Sequence, residues 1–337
     1  MRWFEGVEAV PEGFGPSAVT IGKFDGVHVG HRAVVELLEE RAAAEGLVST
    51  VVTFDRHPLA VVRPEAVPPA LVSNRQKREL LEAAGLAATL LLRFDDELRS
   101  WTPEEFVDRV LVDALAARVV FVGDDFRFGV RGSGSVQTLR ELGPSRGFEV
   151  VSIDDVRPSG DRRASSTWIR ELLDAGRVRE AGELLGREPS VRGVVVRGEQ
   201  RGRELGFPTA NLDPRSEGFI PADGVYAARA LVGDRLYPAA VSVGHNPTFE
   251  GVPAKQVEAH LLDVDLDLYG HEITVFFVDW VRGNVAFEGL ERLVAQIGRD
   301  VEAIRRDLAA DEAAGPRATG QEGRAQPSTA PATAADA

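Results

Sequence analysis

Apolar and polar positions follow two different periods in the two halves of this chain. In the first half, "AVTIG" (18–22), "LVSTVVTF" (47–54), "ATLLLRF" (88–94) and "RVVFVG" (118–123) are short apolar runs that read as strands. Between the first two, "HRAVVELLEERAAAEG" (31–46) puts Val34, Leu37 and Leu38 on one helical face. "SNRQ" (73–76) carries the capping-box pattern and opens a helix through Leu80 and Leu81. "TPEE" (102–105) combines a Thr cap, a first-turn Pro and a Glu at the third position. Strands alternating with helices predict an α/β unit whose mostly parallel sheet is covered on both faces. Such sheets bind ligands where the carboxyl ends of their strands lead into helices.

From about residue 191 the pattern changes. "RGVVVRGE", "GVYAARALV", "RLYPAAVSVG", "VEAHLLDVDLDL" and "HEITVFFVDWV" follow one another with Gly, Asp and Asn between them and no helical spacing. "GD" at 233–234 is a hairpin signal, and the closely spaced strands predict a small antiparallel β-barrel. One helix follows, with Leu290, Leu293, Val294, Ile297, Val301, Ile304 and Leu308 on a single stripe. The predicted organisation is an α/β domain over 1–186, a barrel with its helix over 187–310, and a tail over 311–337. The tail has no periodic apolar face and is expected to be disordered.

Composition narrows the function classes. The chain has 337 residues, 44% of them apolar, enough for two cores of ordinary size. It has no cysteine, so disulfides and thiolate metal sites are excluded. No apolar stretch reaches the length of a membrane span, and the first residues lack signal-peptide features, which predicts a cytoplasmic protein. A formal net charge of −14 argues against a broad nucleic-acid surface but not against a nucleotide. Lysine is scarce (Lys23, Lys77, Lys255), and arginine supplies nearly all the positive charge.

The densest chemistry lies in "IGKFDGVHVGH" (21–31), just after the first strand. Gly22, Gly26 and Gly30 let backbone N–H groups approach an anion, and the following helix points its positive end at the same place. His28 and His31 stand at the helix entrance and can donate to phosphate oxygens, where fixed donors meet developing charge. Glycines alone would fit a turn with one capping histidine. The His-x-Gly-His spacing between strand and helix favours phosphate chemistry. Elsewhere, Ser166 and Thr167 in "SSTWIR" (165–170) fit a plain helix cap. Thr209 and Asn211 in "FPTAN" (207–211) offer two hard oxygens one residue apart, or a capped turn with a buried Asn.

Taken together these stretches resemble known families. "GKFDGVHVGH" resembles the H-x-G-H signature of the nucleotidyltransferases, and in its longer form that of the bacterial FAD synthetases. "TFDRHP" (53–58) is similar to their T-F-[DE]-P-H-P element, with Arg56 in place of proline. "VGDDFRFG" (122–129) and "SSTWIR" match further elements. "GRELGFPTANLD" (202–213), "GVY" (224–226), "VGHNPTF" (243–249) and the V-E-x-H of "VEAHLLDVDLDLYG" (257–270) resemble riboflavin kinase. "VRGNVAF" (281–287) keeps Arg282 and Phe287 of the kinase pattern, but has Asn284 and Ala286 where an acid and a lysine are common.

The resemblance implies a Rossmann-like nucleotidyltransferase domain followed by a kinase barrel. The activities it implies are riboflavin phosphorylation to FMN and adenylylation of FMN to FAD, with ATP as co-substrate and Mg²⁺ as cofactor. It implies that Gly22, Lys23, Phe24, Asp25, Gly26, Gly30, Ser166, Thr167, Arg170, Gly202, Arg203 and Gly206 bind ATP phosphates. It assigns the flavin to Asp125, Phe126, Phe128 and Arg282, the metal to Thr209 and Asn211, and catalysis to His28, His31 and Glu258. The expected partners are riboflavin, FMN and ATP, with neither nucleic acid nor membrane; oligomeric state has no signal. A chain that only adenylylates FMN would be expected to have lost "FPTAN" or Glu258. A flavin carrier without turnover would be expected to have lost His31 or Glu258. All are present.

Overall fold

The structure, a computed structural model, describes residues 1–153, 162–198, 202, 206–245, 255–313, 315 and 326–327. It divides into two compact units, Met1–Ser165 and Ser166–Ala337. This division differs from the boundary near 186 expected from sequence. The helices Ser166–Asp174 and Val178–Leu185 go with the second unit because they bond to it. The Ala222 N–H donates to the Leu173 carbonyl at 2.9 Å, and Arg179 grips Asp279 at 2.7 and 3.0 Å.

The first unit holds a six-stranded sheet whose five neighbouring pairs are all parallel. Its strands are β1 (Arg2–Glu5), β2 (Ser17–Ile21), β3 (Val48–Phe54), β4 (Ala88–Leu92), β5 (Ala117–Gly123) and, after a short ribbon of β6 (Arg127–Phe128) and β7 (Gly134–Ser135), β8 (Glu149–Ile153). The spatial order is β1-β4-β3-β2-β5-β8. Successive residues alternate between the two faces: Val19, Val52 and Val120 enter one core, Ala18, Val51 and Val119 the other. The chain builds outward from β2 through β3 to β4 on one side and through β5 to β8 on the other. The carboxyl ends of β2 and β5 therefore flank the switch point where open α/β sheets bind ligands.

Both expected capping boxes are present, Ser73 with Gln76 and Thr102 with Glu105. The helix Val29–Glu45 buries Val35, Leu38 and Ala42, whereas Leu37 is 45% exposed. The expected face of Val34, Leu37 and Leu38 is thus rotated by part of a turn. The helix starts at Val29 rather than His31, and the phase is set by its docking onto β2 and β3.

The second unit is a closed barrel of six antiparallel strands. These are β9 (Ser190–Val196), β10 (Ala210–Leu212), β11 (Gly224–Val232), β12 (Arg235–His245), β13 (Lys255–Leu261) and β14 (Glu272–Arg282). Gly233 and Asp234 form the two-residue turn of the β11–β12 hairpin. The helix Leu290–Ala313 lays Ile304 and Leu308 on Val225, Ala227, Leu262 and Val278 of the outer face. Leu290, at the start of its stripe, is 60% exposed.

One polar assembly lies inside this packing. Arg229 on β11 is buried and pairs with the buried Glu188 and, at 2.8 Å, with the buried Asp311. Arg179 reaches Asp311 at 3.6 Å and Asp279 on β14 at 2.7 Å. The network ties the helix Val178–Leu185, two barrel strands and the end of the last helix together. The last helix runs to Ala313, past the expected start of the tail at 311, and Gln326–Pro327 pair with Arg235 and Leu236. Residues 314, 316–325 and 328–337 lie outside the described residues.

Arg229→Met leaves two buried carboxylates without their shared cation. It should cost about 3–5 kcal/mol, seen as a lower unfolding midpoint of the second unit in urea. Ending the chain after Ala309 removes Asp311 and should lower the same midpoint. Ending it after Gly315 should change stability by less than about 0.5 kcal/mol.

Candidate active sites

The first site is built on the loop that leaves β2. Phe24 and Val27 take positive φ, 48° and 40°, a conformation that costs roughly 1–3 kcal/mol for residues with bulky side chains. Their side chains are 2% and 1% exposed and pack with Val35, Leu38, Val51 and Leu81. Burial therefore holds the loop in a shape its local preferences oppose. Gly26, with φ of 85°, completes the turn.

Hydrogen bonds hold the rest of this loop. Gly22 N–H donates to Val52 O at 3.0 Å, Thr53 Oγ1 to Lys23 O at 3.0 Å, and Leu71 N–H to Asp25 Oδ1 at 2.9 Å. His28 caps the helix Val29–Glu45, its Nδ1 accepting from the His31 N–H at 3.4 Å. A neutral His28 in this role carries its proton on Nε2. Its ring stacks on His31 at 3.7 Å between centroids, and Phe24 backs His31 at 4.8 Å. A Cβ at residue 30 would lie 3.1 Å from His28 Cε1, a tight contact that glycine avoids. No acidic residue stands in the helix's first turn, which leaves its positive end open to an anion.

Two further loops reach the same edge of the sheet. After β3, Asp55 accepts from Phe94 N–H at 2.9 Å and pairs with Arg56 at 2.7 Å. The ion pair gives the turn an anchor where the family usually has proline. His57 Nε2 lies 3.4 Å from Lys23 Nζ. After β5, Asp125 pairs with Arg163 at 2.9 Å, and Phe126 stacks on the buried Phe128 at 5.5 Å. The structure thus brings Gly22, Lys23, Phe24, Asp25, Gly26, His28, Gly30 and His31 into one loop and helix entrance. Asp125, Phe126 and Phe128 stand across the switch point. Ser166, Thr167 and Arg170 open the helix Ser166–Asp174 and belong to the second unit.

The second site lies on the barrel. Cross-strand register sets Asn211 on β10 directly opposite Glu258 on β13, and Glu258 opposite Ser242 on β12. Directly opposed residues on neighbouring strands share a face, with Cβ atoms about 4.5–5.5 Å apart. Beside them is a cavity of about 350 Å³, lined by Thr209, Asn211, Val195, Leu261 and residues 264–269. His260 Nδ1 meets the Pro208 carbonyl at 2.8 Å and fixes the approach to Thr209. Gly202 accepts from Phe207 N–H at 2.8 Å, and Gly206 takes a φ of 83°. Arg203 lies outside the described residues, as do residues 246–249 of "VGHNPTF".

Arg282, which the resemblance assigned to the flavin, is bound within the protein. It pairs with Asp300 of the last helix at 2.7–3.0 Å and donates to Gly283 O at 2.9 Å. Asn284, at the position that departs from the kinase pattern, donates to Val243 O at 2.9 Å and ties the segment after β14 to β12.

Comparison with known proteins follows the same division. Residues 11–168 match the FAD synthetase family and residues 185–308 the riboflavin kinase family. The chain is 38% identical over 283 residues to the bifunctional riboflavin kinase/FMN adenylyltransferase of Escherichia coli K12, covering 84% of this chain and 90% of that protein. It is 39% identical over 286 residues to the protein of that name from Pseudomonas fluorescens, covering 85% and 91%. The chain belongs to the bifunctional riboflavin kinase/FMN adenylyltransferase family. A crystal structure described as a macrolide-efflux protein from Streptococcus pneumoniae also superposes on it, with a TM-score of 0.82 and 29% identity over 90% of this chain and 99% of that one. Among the described residues here, no helix is long and apolar enough to cross a membrane.

In this member of the family, sequence reasoning passed over Asn74, Lys77 and Asp300. Asn74 donates to Asp55 O at 2.8 Å and Lys77 to Phe54 O at 3.0 Å, both steadying the loop after β3. The signal for Lys77 was its type, since lysine is rare in this chain. Asp300 gave none, because a helix acid normally faces solvent.

Gly30→Ala forces the new methyl against the His28 ring. It should cost about 1–3 kcal/mol, read as a lower unfolding midpoint of the first unit. Gly298→Ala, in open space on the last helix, should instead stabilise the second unit by about 0.5–1 kcal/mol.

Proposed function

We infer that the chain makes FAD from riboflavin in two ATP-dependent steps, one in each unit. The second unit phosphorylates riboflavin to FMN, and the first joins FMN to the adenylyl group of a second ATP. The observation that carries this reading is that each unit holds its own constellation: the histidine loop at the sheet's switch point, and the Asn211–Glu258 pair on the barrel. ATP as the shared co-substrate supports a cytoplasmic location.

In the kinase step the ribityl 5′-hydroxyl oxygen attacks the γ-phosphorus of ATP. The bond from that phosphorus to the β,γ-bridging oxygen breaks, and ADP leaves. The nucleophile is neutral, so a base helps; Glu258 takes the hydroxyl proton. Thr209 and Asn211 supply hard oxygens, and among the described residues no three His, Asp or Glu side chains form a metal cluster. That donor set suits Mg²⁺, which shares its coordination with water and phosphate oxygens. When bound, Mg²⁺ neutralises phosphate charge. Arg282, held by Asp300, keeps the flavin role that the resemblance implies.

The adenylyl step makes a different demand. An FMN phosphate oxygen, already anionic, attacks the α-phosphorus, the α,β-bridging bond breaks and pyrophosphate leaves. No proton has to be removed. What the step needs is alignment and stabilisation of charge on the α-phosphoryl oxygens. His28, His31, Lys23 and the backbone N–H groups of loop 22–28 supply it, with Asp125, Phe126 and Phe128 forming the flavin side. Ser166, Thr167, Arg170, Gly202, Arg203 and Gly206 keep the phosphate-binding roles that the resemblance implies.

Supplying riboflavin or FMN separately tests both assignments in one assay, with products separated by chromatography. His31→Ala should slow FAD formation from FMN by about 10²–10³ and let FMN accumulate from riboflavin. Glu258→Gln should slow FMN formation by about 10²–10⁴ while still converting supplied FMN to FAD. A folded Glu258→Gln that loses both reactions contradicts the two-site reading.

A further inference from the structure

The V-E-x-H stretch carries two polar side chains, of which the kinase step described above uses only Glu258. His260 stands two residues further along β13. Both side chains therefore lie on one face of the strand, while Val257, Ala259 and Leu261 are buried on the other. Backbone pairing between β10 and β13 ends at Ala210 and Ala259. One step further the same register brings Thr209 opposite His260, and Pro208 beside it has no N–H to offer a neighbour. The imidazole bonds there instead: its Nδ1 meets the Pro208 carbonyl at 2.8 Å. Phe207 meets the same ring edge-on, at 5.5 Å between centroids and 80° between planes. A carbonyl can only accept, so a neutral His260 carries its proton on Nδ1.

The approach to Thr209 has two other ties, and both lie within its own segment. Phe207 N–H donates to Gly202 O at 2.8 Å, and Asn211 Nδ2 lies 3.5 Å from Thr209 O. The bond from His260 is of another kind, since it joins this segment to the strand that carries Glu258. Pro208 and Thr209 line the cavity of the second site, and His260 reaches that wall through Pro208. Phosphoryl transfer is sensitive to placement, because a shift of about 1 Å in a reacting group can cost about 10²-fold in rate. We propose that His260 is a positioning residue for riboflavin phosphorylation: its Nδ1–H holds the Pro208 carbonyl and so sets Thr209 relative to Glu258. The inference rests on the assignment of riboflavin phosphorylation to the second unit.

Two variants of the full chain separate the donor from the ring. His260→Asn keeps an N–H near the place of Nδ1 and loses the ring, whereas His260→Phe keeps a ring and loses the donor. With riboflavin and ATP supplied, His260→Phe should lower kcat about 10²-fold while KM for riboflavin stays within about threefold. His260→Asn should keep kcat within about tenfold of wild type; a role in packing alone predicts the reverse order. Both variants should convert supplied FMN to FAD at the wild-type rate, since that step belongs to the first unit. Nitrogen-15 NMR of the imidazoles, with His260 assigned by the signal that His260→Asn lacks, should show its neutral ring protonated at Nδ1 and bare at Nε2. A His260→Phe as fast as wild type, a His260→Asn as slow as His260→Phe, or a proton on Nε2 in the neutral ring overturns the proposal. Failure of the wild-type chain to phosphorylate riboflavin would instead overturn the assignment of the second unit, whatever tautomer His260 shows.

Discussion

The first unit depends on the burial of two side chains whose backbones are in a disfavoured conformation. Phe24 and Val27 hold positive φ because the core beneath them leaves no alternative. Their anchoring fixes the N–H groups of loop 22–28, places His28 at the helix cap and brings His31 against it. The cost of that shape is met during folding, so none is left for the moment when an anion arrives. This is preorganisation in the sense that matters for charge stabilisation.

The barrel solves its own problem by register. A shift of one residue between β10 and β13 would move Glu258 to the opposite face from Asn211. The two small residues Ala210 and Ala259, paired next to them, are buried. The ion network of Arg229, Glu188, Asp311 and Arg179 then joins the helix Val178–Leu185 and the last helix to the barrel wall. The second unit thereby includes a helical segment that sequence similarity to FAD synthetases partly covers, since that match extends to residue 168.

What could be read in the sequence follows from how much apolar surface each element buries. β2, β3, β4 and β5 are central strands and announce themselves as apolar runs. β1 and β8 are edge strands whose residues are mostly half-exposed, and β10 has only three residues, so none of them carries a periodic signal. The phase of the helix Val29–Glu45 was misread because docking, not its first apolar residue, sets which stripe is inside. The spacing of His28, Gly30 and His31 was legible as a strand-to-helix entrance, which is where the fold places them. Arg282 was legible as a position but not as a partner of Asp300, and Lys77 and Asn74 act through carbonyls that only the fold brings near them.

Two phosphorus chemistries on one chain are expected to differ in one physical respect: only the kinase step removes a proton from its nucleophile. Single-turnover rates in H₂O and D₂O, measured separately with riboflavin and with FMN, expose that difference directly. A base at Glu258 and charge stabilisation alone at His28 and His31 predict a normal solvent isotope effect on riboflavin phosphorylation and a ratio near unity for FMN adenylylation. An isotope effect on adenylylation as large as that on phosphorylation would contradict the division of labour between the two units.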